Sequence, residues 1–183
     1  MSYNPFNWYW AVAGDTGHVF SSATGTVIAT GNSTYQSWLG PEQAPTSIMS
    51  YSSLYDVLTI QAPSVAQQVT TSWATSGYLT PAQAYNGYIT LGVSVAVSGH
   101  PEVNGVYPIG SIAIIGYNVV QANLINGSLS VPVSFPDVSG VPRTFTASGT
   151  FITFNSHIAS YFQTLQSLAA GASGAWPSPS VSY

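Results

Sequence analysis

The stretch VSVAVSGHPEVNGVYPI, residues 93–109, decides the fold class. Val93, Val95 and Val97 alternate with Ser94 and Ala96, the period of a strand with one covered face. Residues 99–105 form a turn, and Val106, Tyr107 and Ile109 return as a second strand, so the segment reads as a β-hairpin. The period then changes. Ile112, Ile115, Val119 and Leu124 keep helix-compatible spacing up to Asn126-Gly127, although the β-branched content leaves a strand reading open. A second hairpin is expected from residues 131–135 and 143–146 around Asp137-Val138-Ser139-Gly140. A last helix over residues 148–170 would bury Phe151, Phe154, Ile158, Phe162, Leu165 and Leu168. The result is an α+β, ββαββα-like module over residues 92–171.

Working outward, residues 1–63 read as a small β-meander followed by short helices. The aromatic stretch FNWYWAVA (residues 6–13) makes one strand, Gly14-Asp15-Thr16-Gly17 a turn, and residues 18–22 and 26–29 two more strands. Asn32 or Ser33 caps a short helix through Tyr35, Trp38 and Leu39, and a second helix starts near residues 50–53 and carries Leu54, Val57 and Leu58. Residues 64–77 are polar and small and read as a link between modules, with a partly helical reading left open. Thr80-Pro81 then opens a connecting helix that completes a linker over residues 64–91. The Pro- and Ser-rich residues 172–183 are expected to be an extended tail, not packed within their own fold.

Charge is nearly absent: five acidic residues and one arginine make 3% of 183 residues, against roughly 25% in an ordinary domain. Such a surface has little like-charge repulsion and points to a protein packed against other subunits. Without lysine, and with Arg143 as its one basic side chain, the chain has no footprint for nucleic acid or anionic lipid and no phosphate-loop lysine. The absence of cysteine excludes disulfides and thiolate metal sites. No apolar run is long enough for a membrane helix, and the first ten residues lack the charged start and apolar core of a secretory signal.

Candidates for chemistry are few. Asp15 could orient His18 as a general base near Ser21 and Ser22, but a turn aspartate followed by a strand histidine is the plainer reading. His18, His100 and His157 are isolated, with no metal-ligand spacing, and the scattered acids form no pair for glycoside cleavage. No cofactor motif is present, so catalytic, metal and cofactor assignments are all none. The aromatic residues offer more. Trp8 and Trp10 are expected on one face of a strand and Tyr9 on the other, one face meeting the core and the second a neighbour or a sugar. Trp38 joins these as a contact candidate, and Trp176 and Tyr183 read as anchors docking on another chain.

The order of these motifs resembles a family of small proteins encoded among the tail genes of bacteriophages and prophages. The likeness runs from Ser2-Tyr3-Asn4-Pro5-Phe6-Asn7-Trp8-Tyr9-Trp10 through Val19-Phe20-Ser21-Ser22, Tyr35-x-x-Trp38-Leu39, Pro45-Thr46-x-Ile48 and Leu54-x-Asp56-Val57-Leu58. It continues through Asn104-Gly105-x-Tyr107-x-Ile109, Asp137-x-x-Gly140-x-x-x-x-Phe145 and a closing helix with Tyr161 and Leu165. Family members carry many more charges in the linking helices, and here this chain departs. The resemblance implies a tail-associated, non-enzymatic structural protein of the virion, made in the host cytoplasm, whose partners are itself and other tail proteins. The alternatives are a transient tail-fibre assembly chaperone and a module that binds a host surface glycan through its aromatic rings.

Overall fold

The computed structural model describes residues 2–41 and 43–183, and Glu42 lies outside the described set. The chain is α+β. It divides into two compact units, one ending at Ala84 and the other Tyr85–Tyr183.

In the first unit, β1 (Tyr9–Val12), β2 (His18–Ser21) and β3 (Thr26–Ala29) form the expected meander. A further strand, β4 (Thr46–Ile48), adds to β1 in parallel and gives the order β3-β2-β1-β4. Both faces of this sheet are covered. On one, Tyr9, Val19 and Ile28 meet Tyr35, Trp38 and Leu39 from α1 (Ser33–Trp38) and its C-cap. On the other, Phe20 packs edge-on against Trp73, with ring centroids 5.1 Å apart. The Asn32 side chain caps α1 by accepting from the backbone N–H groups of Thr34 and Tyr35, and Ser50 caps α2 (Tyr51–Gln61) in the same way through Ser53.

Residues 64–77 are helical over nearly their whole length and pack against their own unit. They form most of α3 (Pro63–Thr75), a helix whose Val65, Ala66, Val69, Thr70, Trp73 and Ala74 are buried. These positions repeat at helical spacing, but Ala and Thr contribute little apolar signal, so the core face was hidden in the composition. Pro63 at the first position starts the helix, and the Tyr55 hydroxyl meets Thr70 Oγ1 at 2.8 Å across the α2–α3 contact. A capping box follows: Gln83 N–H donates to Thr80 Oγ1, and Thr80 N–H donates to Gln83 Oε1, opening α4 (Pro81–Leu91).

The second unit follows the ββαββα order, with one addition. The strands β5 (Val93–Ala96) and β6 (Gly105–Tyr107) pair antiparallel, and α5 (Ser111–Ile125) is helical throughout. The hairpin of β7 (Val133–Pro136) and β8 (Pro142–Phe145) precedes α6 (Ser148–Ala169), which buries all six apolar residues expected of it. Phe145, Phe151, Phe154 and Tyr107 are fully buried and form the centre of this core. Gly92 ends α4 at φ +72°, where a Cβ would lie 2.6 Å from the Tyr107 carbonyl oxygen.

The tail corrects a second expectation. It is extended, but its strand β9 (Ser180–Ser182) adds in parallel to β5 of the same chain. Ser94 N–H donates to the Pro179 carbonyl and Ser98 N–H to that of Tyr183, so the free edge of β5 is satisfied from within.

Candidate functional site

The N-terminal aromatic residues hold one another. The Tyr9 and Trp10 side chains are buried on opposite faces of β1. Trp8 precedes the strand and is less buried than Trp10, although Tyr3 stands edge-on to both rings. The Trp8 ring stands edge-on to Trp38 at 5.0 Å, and Trp38 also contacts Tyr9 at 4.8 Å. Tyr3 covers Trp8 edge-on, also at 5.0 Å. The indole donors are used internally: Trp8 Nε1 donates to Thr46 Oγ1 and Trp10 Nε1 to the buried Ser22 Oγ, both at 2.9 Å. With the Gln43 amide oriented by its hydrogen bonds, Trp38 Nε1 donates to Gln43 Oε1.

The tail rings are likewise partnered inside the second unit. Trp176 stacks on Tyr88 at 5.4 Å, and Tyr183 lies parallel to His157 at 4.4 Å. Both rings expected as anchors thus have a ring partner within their own unit.

Asp15 and His18 come together as the sequence suggested. His18 Nδ1 donates to Asp15 Oδ1 at 2.7 Å, and the Tyr51 hydroxyl donates to Asp15 Oδ2 at 3.1 Å. The hydrogen bond from His18 holds the Asp15 carboxyl below its usual range, with help from Tyr51. Burial, then the hydrogen bond to Asp15 and its charge, pushes the Tyr51 hydroxyl up to about 12. Tyr51 stacks on Tyr78 at 4.3 Å, and an open cleft of about 390 Å³ is lined by Asp15, Met49, Tyr51, Gly77 and Tyr78 among others. Tyr51 and Tyr78 were missed in the sequence because only the fold brings them beside the 14–17 turn. A nucleophile is not assembled there: Ser21 and Ser22 are buried, and Ser22 Oγ already accepts from Trp10. The three histidines sit on separate elements, and no metal-holding group of three acidic or histidine side chains occurs among the described residues.

The largest unexplained feature is on α5. Ile114 and Tyr117 face the core, yet Ile112 is 89% exposed, Ile115 62%, Val119 54% and Ile125 65%. Stepping by three and four residues, 112, 115, 119 and 122 form a second apolar stripe on the side away from 114, 117, 121 and 124. By spacing alone Ile112, Ile115 and Val119 fall with Leu124 into one helical pattern. The signal that separates them is a helix apolar on two sides at once. Full burial of an exposed isoleucine is worth roughly 1.5–3 kcal/mol, and most of that is unrealised at Ile112. Next to the stripe, an open groove of about 640 Å³ is lined by Ile89, Pro108, Gly110, Ser111, Ile112 and Ala113. Ile60 and Met49 are also exposed, but singly, which is ordinary.

No family model, curated protein or solved structure matches this chain.

No charged residue occurs between Glu102 and Asp137, so α5 and the segments that flank it in the sequence carry no ion. Among the described residues, no helix is long and apolar enough to cross a membrane.

Proposed function

We propose that this protein is a structural, non-enzymatic component of a bacteriophage tail or tail fibre that acts through contacts between subunits. The observation that carries this reading is the exposed apolar stripe of α5 on a nearly ion-free surface. Contacts on such a surface bury no unpaired charge, so shape and hydrogen bonds set their specificity. Quantitative mass spectrometry of particles from the phage or prophage that encodes the chain tests it. A fixed, stoichiometric copy number is the expected result. Absence from particles, with accumulation in lysates beside unassembled fibres, supports the assembly-chaperone alternative instead.

A second reading, host-glycan binding, is favoured by one observation: the cleft beside Asp15. There Tyr78 offers a ring, while Asp15 offers an acceptor to sugar hydroxyls. Trp8, Trp10 and Trp38 have their indole donors engaged and are weaker candidates. Glycan-array binding lost in Tyr78→Ala and retained in Trp38→Ala supports this reading. No binding by the native chain removes it.

A further inference from the structure

We propose that the outer face of α5 is closed by the same face of a second copy, with the two helices antiparallel about a two-fold axis level with residue 117. The inference rests on the subunit-contact reading above and names its partner and geometry.

Four features select a second copy in this orientation. The stripe at 112, 115, 119 and 122 has the three-four spacing of a helix-pairing seam. The helix and the residues that flank it, from 103 to 136, include no charged side chain, so the charged groups of an ordinary partner surface would find no counter-ion on α5. A copy of this chain brings an equally neutral face. The third feature is the placement of groove and ridge. The groove of Ile89, Pro108 and Gly110 lies at the N-terminal end of α5, and the exposed Ile125 at its C-terminal end. Antiparallel pairing brings the C-terminal end of each α5 to the other's groove, the self-complementary arrangement that a two-fold axis demands. In that register Ile115 meets Val119 and Ile112 meets Ala122, large against small. Parallel pairing would juxtapose like helix ends, and α5 has no acidic residue in its first turn or basic residue in its last to offset them.

Fourth, Gly116 lies beside the stripe in mid-helix, and a Cβ built there meets nothing within 4 Å. The fold of one chain leaves this position free for a larger side chain. A glycine there lets two helix backbones approach closely. A standard interface takes about 800 Å² from each partner, so the contact extends from the stripe into the groove.

The chain has no cysteine, so single cysteines map the contact without background. A disulfide needs Cα atoms within about 7 Å. Oxidising an equimolar mixture of Ile112→Cys and Ala122→Cys chains is expected to give a cross-linked dimer containing one of each. Ile112→Cys alone is expected to stay unlinked, because the two copies of residue 112 lie roughly 15 Å apart along the helices. Gly116→Leu is expected to weaken dimerisation about tenfold or more without lowering the thermal midpoint of the monomer. Self-linking of Ile112→Cys would establish parallel pairing and overturn the proposal. An oligomeric native chain in which no stripe cysteine cross-links overturns it too, while leaving the subunit-contact reading in place. A monomeric native chain overturns both.

Discussion

Asp137 accepts four hydrogen bonds and organises the second hairpin. Its Oδ1 takes the backbone N–H groups of Ser139 and Val141, and its Oδ2 takes Nε and Nη2 of Arg143 at 3.1 and 2.8 Å. The Arg143 guanidinium, followed by those backbone donors, holds the Asp137 carboxyl below its usual range. The chain's one basic side chain is thus spent inside the fold. The turn role of Asp137 was legible in its D-x-x-G setting, with Gly140 at φ +80°. Its ionic partner six residues on was not, because that pairing depends on the register of β7 and β8. Arg143→Met is expected to lower the urea midpoint clearly, whereas Glu102→Gln, at an exposed His100 pair, should leave it unchanged. Equal effects of the two variants on urea unfolding would contradict this account of the pair.

The elements without strong apolar residues were the ones the sequence hid. The first two strands of the meander, α2, α4 and α6 announce themselves by alternation, caps or heavy apolar periodicity. The helix α3 buries Ala66, Thr70 and Ala74 beside Val65, Val69 and Trp73, and this small-residue face resembles a linker until it is packed. The tail escaped for a different reason. The residues of β9 are Ser-Val-Ser, and a three-residue strand is specified by the edge of β5 that receives it, not by its own composition. Two predictions follow the same logic. Trp73→Ala, at a residue 4% exposed, is expected to cost about 3–5 kcal/mol in chemical denaturation, where a linker residue would cost almost nothing. Trp176→Ala is expected to lower the thermal midpoint and speed amide exchange at Ser94 and Ser98, since β9 then loses its stacking on Tyr88. Unchanged exchange at both amides would show that the ring does not hold the strand.

For the whole molecule, scarcity of charge sets how stability responds to solution conditions. Asp15 and Asp137 are held below the ordinary carboxylate value of 3.8, so their contribution is complete above that pH and is lost as pH falls through the lower folded values. Burial pushes Tyr51, Tyr117 and Tyr183 up to about 12. The neutral hydroxyls therefore stabilise the fold fully below their ordinary value of 10, and this is lost as pH rises from 10 toward 12. Between about pH 5 and pH 9 the thermal midpoint should be flat, and added salt should move it little, because the helices carry no charges at their ends for salt to screen. A steep loss of stability between pH 7 and pH 5 would refute this.

The surface left by that scarcity is the basis of the proposed role, and the mass of the native chain in solution tests it most directly. Sedimentation equilibrium is predicted to give at least two copies of the 19.2 kDa chain, with association insensitive to salt and abolished by Ile115→Asp on the outer face of α5. A single-copy mass persisting to millimolar concentration would contradict the account.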